Sequence, residues 1–474
     1  MRTTRRAFLG AAGMVLAGGP HLLRHLEAVQ EPHGWDRVPH ILARIRPPVF
    51  PDRTFDITGY GARPTPGRDN TDAIRRAIAT CHAAGGGRVV VPDGRFETGP
   101  IHLRSRVALH LADEATLAFS TEPKAYLPVV LTRFEGMELY NYSPLIYALD
   151  CEDVAVTGRG TLDGQADFDR WWPWKGAWKD VPARPGQPTQ LPARARLGEM
   201  AEAGVPVAER IFGEGSYLRP SFIQPYRCTN VLIEGVTIVN SPMWEIHPVL
   251  CRNVTVRGVQ VRSHGPNNDG CNPESSRDVL IERCTFDTGD DCIALKSGRN
   301  AEGRRIGVPV EDVVIRDCVM KDGHGGVVVG SEASGGARHI FAERCRMDSP
   351  RLDRGLRFKT NSVRGGTIEH VYMRDVEIGE VAEAVVTADF YYEEGDSGAF
   401  PPTLRHVELR NVTSRRSRYG LLLRGYAHAP ISDVRIVDCR FDDVAEGDLA
   451  EGVRDLVYAD TRVNGVLRNE RIAR

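Results

Sequence analysis

The sequence of 474 residues has almost no net charge and, beyond its N-terminus, no apolar run of 18 residues. Its 61 Lys and Arg against 63 Asp and Glu give −2 at pH 7, so no global basic field would attract nucleic acid. The lack of a long apolar run excludes a membrane-spanning domain. With 41% hydrophobic and 26% charged residues, a disordered or collagen-like chain is also excluded. Any anionic ligand must therefore be held by local cations.

The N-terminus has the sequence pattern of a targeting signal. Paired arginines in Thr4–Gly10 precede an apolar run, Ala11–Ala17, that is too short to span a bilayer. Residues 1–30 are therefore predicted to form a twin-arginine export signal and linker, and the protein to be periplasmic or secreted. A basic amphipathic terminus of a cytosolic protein is the alternative. No clean A-x-A site follows, which leaves the mature start open.

A nine-residue phrase, first clear at Asn230–Ile238, recurs through most of the chain. It alternates apolar and polar residues, which predicts a strand with one buried face. Its anchor residues stand 23 to 36 positions apart, a spread typical of a solenoid with fixed strands and variable loops. No helix-length segment separates the phrases, so the coils should stack as a parallel β-helix. The anchors are Val231, Val254, Val279, Val313, Ile340, Val371, Val407 and Val434, with weaker copies at Val107 and Val154.

Four of the ten cysteines, Cys284, Cys318, Cys345 and Cys439, stand five residues after an anchor, where other coils carry valine. This position predicts one inward-facing ladder. Neighbouring strands lie about 4.8 Å apart, farther than the usual Cβ separation of a disulfide, so reduced core thiols are expected. A disulfide framework is the alternative for an exported protein.

Two further segments flank or interrupt the repeat. Residues 70–81 have the pattern of an amphipathic helix, which is expected to cover the open end of the solenoid because a bare terminal coil would be an aggregation-prone edge. Residues 164–220 hold four tryptophans and a Pro-rich stretch. We interpret them as a long loop beside a groove, within a single β-helix domain over residues 50–465. The alternative is a loop that merely covers an apolar patch.

Polar motifs stand on successive coils and point to a site. Asp290 and His324 each lie 11 residues after their anchors, so their side chains are expected in one ladder about 4.8 Å apart. An insertion in the preceding coil could bring Asp269 to the same place, while Arg357 and Lys359, two positions apart, share one face. The four motifs are Asn267-Asn268-Asp269-Gly270, Thr288-Gly289-Asp290-Asp291-Cys292, Gly323-His324-Gly325 and Arg357-Phe358-Lys359.

The chemistry of this set favours glycoside hydrolysis. Carboxylates held together beside a histidine cannot all ionise at their ordinary pKa, so one of them, expected to be Asp290, should remain protonated near neutrality. One carboxylic acid can then protonate a leaving oxygen while another carboxylate activates water. Two cations on the same face could grip a sugar carboxylate. Each motif alone could be a solvated turn or strand face, but their order on successive coils favours a site.

The order Asn-Asn-Asp, Asp-Asp, Gly-His-Gly, Arg-Phe-Lys resembles the polygalacturonase family of glycoside hydrolases, family 28, whose pattern is N-T-D, D-D, G-H-G, R-I-K. The resemblance extends from about Phe55 to beyond Tyr392 and includes residues 241–244 and 293–298. It implies an all-β fold, a right-handed parallel β-helix with a short N-terminal capping helix. It also implies inverting hydrolysis of a pectic polysaccharide or oligogalacturonide, with no cofactor and no required metal.

Catalytic roles follow from the resemblance, position by position. Asp290 matches the general acid of the family. Asp269 and Asp291 match the carboxylates that activate water, and His324 matches the histidine that supports protonation of the acid.

Substrate-binding roles follow in the same way. Arg357 and Lys359 match the residues that bind the galacturonate carboxylate, and Tyr392 matches a tyrosine that contacts substrate. Trp244 and His247, in or just after the matched 241–244 stretch, are further candidates for substrate contact.

Some positions depart from the family pattern. Asn268 replaces its Thr, Phe358 its Ile, and Thr288-Gly289 its more usual Gly-Gln, but no catalytic group is lost. Residues 271–276 and the long insertion resemble bacterial exo-acting members, so attack from a chain end is expected. The alternatives are a hydrolase of rhamnogalacturonan or another pectic side chain, a Ca²⁺-dependent pectate-lyase-type eliminase, and a non-catalytic carbohydrate-binding solenoid. The oligomeric state is left open.

Overall fold

A computed structural model describes residues 33–179 and 181–473. The predicted export signal, residues 1–30, lies outside the described residues. Within them, no helix has the length and apolar character needed to cross a membrane.

The chain forms a right-handed parallel β-helix whose coils present three faces, as the sequence predicts. Two of the faces belong to one 23-stranded sheet, because three long strands take part in both. The first face consists of Thr54–Asp56, Gly87–Val91, Val107–Leu111, Glu152–Gly158, Thr229–Glu234, Arg252–Arg257, Arg277–Glu282, Val310–Arg316, Ala337–Glu343, Thr367–Glu380, Thr403–Arg416, Ile431–Val437 and Val453–Val463. The second adds Gly94–Thr98, Ala115–Phe119, Thr161–Asp163, Thr237–Val239, Gln260–Ser263, Thr285–Thr288, Val319–Met320, Arg346–Met347 and Arg440–Phe441.

The third face supports the polar motifs. The strands of its N-terminal coils form a three-stranded sheet, and those of its C-terminal coils form a six-stranded sheet. Single bridges through Ile246, Val249, Cys271 and Glu274 join the two sheets. Its strands are Ile101–His102, Ile146–Leu149, Ile223–Tyr226, Ile293–Leu295, Val327–Val329, Arg354–Lys359, Ala384–Asp389, Tyr419–Arg424 and Leu449–Glu451.

The repeated phrase aligns coil upon coil. Val231 pairs with Val254, Val254 with Val279, and Val279 with Val313, and the same register continues to Val434. The residue before each anchor adopts a left-handed backbone, which Asn, Asp and His tolerate better than most side chains. These corner residues, with φ between 50° and 59°, are Asn230, Asn253, Asp278, Asp312, His339, His370, His406 and Asp433.

The inward ladder of sulfur atoms is part of the core. All ten cysteines are buried and unpaired, so the structure contains core thiols and no disulfide framework. Cys284, Cys318 and Cys345 lie on neighbouring coils, and the pKa of the Cys318 thiol is raised by its contact with Cys284 and by burial. These thiols are therefore packed as small apolar groups.

A segment outside the regular coils follows each end of the solenoid. At the N-terminal end, helix α2 (Thr71–Ala83) buries its apolar face against the first coils, in agreement with the predicted capping helix. At the other end, Val453–Val463 pairs with the antiparallel strand Val466–Ile472, which lies beyond the predicted domain limit of residue 465.

A segment that the repeat does not predict runs along the outside of the first face. Helix α1 (Arg37–Arg44) packs Val38 and Ile41 on Leu280, Val314 and Phe341, which point outward from their strands. Two arginines of α1 reach corner residues of the coils beneath. Their pairs are Arg37 with Asp312 at 2.9 Å, and Arg44 with Asp278 and Asp312 at 2.6 and 2.7 Å.

Residues 164–220 do not form a domain of their own. They contain the 3₁₀ helices Trp172–Lys175 and Val207–Glu209 and helix α3 (Leu191–Glu202). Trp171 and Trp172 are buried in the main core, and the Trp172 indole donates to the carbonyl of Ser241 at 2.9 Å. Beside this loop lie the hairpin Val130–Phe134/Met137–Asn141 and helix α4 (Asn300–Ile306).

Candidate active site

The predicted site residues meet on the third face, where consecutive coils are bonded backbone to backbone. Gly270 donates its amide to the carbonyl of Asp291 at 3.0 Å, and His324 donates its amide to the carbonyl of Asp290 at 3.1 Å. These rungs place Asp269, Asp290 and His324 on three stacked coils. The equal offset of Asp290 and His324 from their anchors therefore corresponds to direct contact.

Asp290 and His324 form a charged pair. Nδ1 of His324 lies 2.8 Å from Oδ1 of Asp290, and the backbone amide of Asp291 donates to the same oxygen at 3.0 Å. The Asp290 carboxylate raises the pKa of His324. For Asp290 itself, burial raises the pKa, but His324, Lys359 and Lys296 together outweigh burial and hold the pKa below its ordinary value.

Asp269 occupies a deeper position. It is buried, and Nζ of Lys296 lies 3.2 Å from its Oδ2. The same ammonium pairs with Glu332 at 3.0 Å, so Lys296 joins two carboxylates. Burial and the nearby Asp290 and Asp291 raise the pKa of Asp269 to about 8 despite Lys296.

These pKa directions differ from the expected order. The sequence predicts that the pKa of Asp290 is raised, whereas in the structure the raised pKa is that of Asp269 and the pKa of Asp290 is lowered. The reason is that His324 contacts Asp290 directly, while Asp269 faces desolvation and two like charges. Groups this close titrate as one cluster, so the proton belongs to the set.

Asp291 is held by the two predicted cations. Nζ of Lys359 lies 2.5 Å from one of its carboxylate oxygens, and Nη1 of Arg357 lies 3.7 Å from the other. Arg357 and Lys359 project from one strand, Arg354–Lys359, as their spacing predicts. The Arg357 side chain keeps 12% of its surface exposed, so part of the guanidinium remains available to a ligand.

Tyr392 and Trp244 both line the pocket that contains the acid cluster. The ring of Tyr392 lies 5.8 Å from the Arg357 guanidinium, which places the phenol beside the predicted carboxylate site. Trp244 lies under the Lys296 ammonium at 4.2 Å and is only 2% exposed. Trp244 therefore forms the floor that positions Lys296.

His247 lies elsewhere. It is completely buried behind Trp244, with the two rings 4.7 Å apart edge to face. Its Nε2 lies 2.8 Å from Glu274 and its Nδ1 2.8 Å from Gln224. A substrate cannot reach an imidazole enclosed in this way, so the expected contact of His247 with substrate is replaced by a role in supporting the floor.

One wall of the pocket consists of residues that the motifs do not predict. Glu135, at the tip of the hairpin, accepts from Arg194 of α3 at 2.5 Å and from Arg299 at 3.0 Å. Lys175 of the insertion also lines the pocket. These residues come from segments that leave the regular coils, so no repeat phrase marks them. Lys296 directly follows the buried strand Ile293–Leu295 of the third face, and a charged residue in that place is a signal that could have identified it.

The opposite side of the pocket continues into a second cavity of about 500 Å³ that shares Arg357, Lys359 and Tyr392. This cavity runs over the strands toward the C-terminus and includes Arg424 and Glu451. The acid cluster therefore lies between a walled side and an open side.

The donor atoms of Asp290, Asp291 and His324 lie within 4.8 Å of one another, close enough to bind a metal ion. The position facing Asp291 is occupied, however, by the ammonium of Lys359 and the guanidinium of Arg357. Two cationic side chains at this position would repel a divalent cation. The set is better suited to an anionic organic ligand.

Comparison with known proteins agrees with this geometry. Residues 213–446 match the family described as glycosyl hydrolases family 28. A hyperthermoactive exopolygalacturonase from Thermotoga maritima is 46% identical, with a TM-score of 0.89 over 92% of this chain and 97% of the other. The chain belongs to glycosyl hydrolase family 28.

Two curated relatives are less similar in sequence. A probable polygalacturonase of Vitis vinifera is 28% identical over 77% of this chain and 70% of its own length. The exo-poly-alpha-D-galacturonosidase of Dickeya chrysanthemi is 25% identical over 77% of this chain and 62% of its own length. As a family 28 member, this protein is a glycoside hydrolase.

Proposed function

We propose that this glycoside hydrolase cleaves α-1,4-galacturonosyl linkages in pectic polysaccharide or oligogalacturonides, from a chain end and with inversion. The observation that carries the proposal is the position of Arg357 and Lys359 beside a carboxylate cluster in a pocket that is walled on one side. Paired cations select a sugar with a carboxylate, and the wall selects a chain end. Similarity to two exo-acting galacturonan-degrading enzymes supports both parts.

The Asp290–His324 pair acts as the acid. Because Asp290 raises the pKa of His324, the pair keeps its proton to a higher pH than a free imidazole would. Transfer of this proton across the 2.8 Å contact gives neutral His324 and a protonated Asp290, which then protonates the glycosidic oxygen. An ion pair in the free enzyme is therefore consistent with Asp290 as general acid.

Asp291 and Asp269 supply the base. Lys359 forms an ion pair with Asp291, and one carboxylate oxygen of Asp269 contacts the ammonium of Lys296. The proton on Asp269 passes to solvent in the pocket that Asp269 lines before Asp269 accepts a proton from the attacking water. Water activated between these carboxylates attacks the face of the sugar opposite the leaving oxygen, which inverts the anomeric centre.

The coil order defines the direction of the chain. Asp269 lies on the walled side and Arg357 on the open side, with Asp290 between them. The sugar that water attacks therefore lies toward the wall, and the leaving sugar lies over Arg357 and Lys359. This arrangement removes one sugar from the non-reducing end.

The test is a time course on polygalacturonate. We expect galacturonate from the first minutes, a slow fall in viscosity, and the β anomer in early NMR spectra. A rapid viscosity drop with mixed oligomers would contradict attack from the end. Release from rhamnogalacturonan alone would indicate a different pectic substrate, and an unsaturated product lost on chelation would indicate a lyase.

The location of the enzyme remains a prediction from residues 1–30. Fusion of this segment to a reporter that is exported only in the folded state tests it. Replacement of Arg5 and Arg6 by lysine should abolish export.

A further inference from the structure

The cations of the walled pocket differ in whether a carboxylate already neutralises them. Arg194 and Arg299 share Glu135, Lys296 pairs with Asp269 and Glu332, and Lys359 pairs with Asp291. Their closest contacts span 2.5 to 3.2 Å. Lys175 is different, since no carboxylate among residues 33–179 and 181–473 forms an ion pair with it.

The backbone turn that carries Lys175 is fixed at the wall. Lys175 ends the 3₁₀ helix Trp172–Lys175, and the preceding Trp171 has φ +65°, a strained value for a bulky side chain. The Trp172 indole is bonded to Ser241, and Trp171 and Trp174 pack edge to face at 4.8 Å. The carbonyl of Trp174 accepts from the amide of Gln190 at 2.7 Å. The tryptophans of the insertion therefore fix a short turn whose last residue faces the pocket.

The position of Lys175 has an electrostatic cost. Burial lowers the pKa of its ammonium, and the nearby Arg219 lowers it further, while Glu135 opposes both. A partly desolvated ammonium without an ion pair costs free energy, and an anionic ligand bound in the pocket would offset that cost. Strain at Trp171 and an unpaired cation at the same turn together indicate a binding role.

We propose that Lys175 binds the carboxylate of the terminal galacturonate, the sugar that water attacks. The inference rests on the proposed function and adds its specificity. Arg357 and Lys359 hold the carboxylate of the leaving sugar, and Lys175 holds that of the terminal sugar. The enzyme therefore requires free carboxylates on both sides of the bond that it cleaves, and it rejects a chain whose last residue is methyl-esterified.

The test separates the two carboxylates chemically. In p-nitrophenyl α-galacturonide the terminal sugar carries a carboxylate and the leaving group carries none, and in p-nitrophenyl α-galactoside neither does. We expect Lys175→Met to lower kcat/KM for the galacturonide at least 30-fold and to change that for the galactoside less than threefold. Lys175→Arg should restore part of the loss. Lys124→Met, at an exposed lysine that pairs with Glu214 outside the pocket, is the matched control.

A binding measurement covers substrates that react too slowly. Galacturonate should inhibit the wild type more strongly than galactose, and Lys175→Met should remove this difference. Equal losses for charged and neutral ligands would mean that Lys175 only supports the fold, and an unchanged galacturonide rate would also overturn the assignment. If the wild type releases no galacturonate from polygalacturonate, the proposed function fails, whereas a fully active wild type with an unaffected Lys175→Met variant defeats only this inference.

Discussion

The two sides of the acid cluster are built differently. The open side is formed by strands of the third face, where Lys359, Asp389 and Arg424 occupy the same register position on three successive coils. The walled side is formed by an insertion, a hairpin tip and a loop before α4, which Glu135 joins through Arg194 and Arg299. In the proposed function, regular coils therefore supply the catalytic groups and the groove, while irregular segments set where a sugar chain must end.

The largest effect is expected at the boundary between the two sides. Asp290→Asn removes the acid without changing the shape of either side, so kcat should fall by more than ~10³ with little change in KM. The loss should be equal for polymer and short oligomers, because both react at the same atom. Steady-state kinetics on both substrates checks this, and a loss confined to KM would show that Asp290 only binds.

The second prediction concerns a substitution on the open side. Arg357→Ala should cost about 2–4 kcal/mol in kcat/KM on oligogalacturonides, because it removes a partner of the leaving sugar's carboxylate. Polygalactose and methyl-esterified substrate should be poor substrates of the wild type for the same reason. Arg351→Ala, at an arginine side chain that is 80% exposed, is the control. Equal activity on esterified and free substrate would argue against a carboxylate site here.

The third prediction concerns a substitution that removes ion pairs from the walled side. Burial would raise the pKa of Glu135, but Arg194 and Arg299 hold it below its ordinary value, so Glu135 is ionised. Glu135→Gln leaves both arginines without this charge, and we expect kcat/KM to fall about tenfold and products longer than the monomer to appear. Glu199→Gln, on the exposed face of α3, should change neither. Chromatography of early products decides whether the wall sets the product size.

The smallest effect concerns stability. The pKa of Asp269 is about 8 in the folded protein and about 3.9 when unfolded. Between these values the folded state holds a proton that the unfolded state has released, so the free energy of unfolding decreases as pH rises from about 4 to 8. Asp269→Asn should remove this dependence and raise Tm by on the order of 5 °C at pH 8, with no gain at pH 4. Thermal unfolding at both pH values, with Asp287→Asn as control, measures it.

The positions of the residues on the regular coils could be predicted from the sequence because those coils repeat. The anchors pair in the expected register, and the offsets of Asp290 and His324 bring them into contact. The wall could not be predicted from the sequence, because Glu135, Lys175 and Arg194 come from segments without periodicity. Only the fold brings these segments together.

The protonation order and helix α1 were missed for different reasons. Spacing shows that Asp269 and Asp290 are neighbours, but not which of them is buried deeper and which contacts His324. Helix α1 left a signal in the repeat itself, since Leu280, Val314 and Phe341 are apolar at positions that should face water. Outward apolar residues on consecutive coils indicate a segment that covers them.

Helix α1 has a consequence for how the molecule folds. In a solenoid most contacts join neighbouring coils, so folding can proceed coil by coil and the coils can also separate locally. Helix α1 adds contacts between residues 234 to 275 positions apart, from Arg44 to Asp278 and from Arg37 to Asp312. The ribosome makes α1 before the coils on which it docks, so α1 finds its docking surface only after the coils that carry Asp290 and His324 exist. It therefore links a segment that precedes the solenoid to these coils, and they should open and close as one cooperative unit.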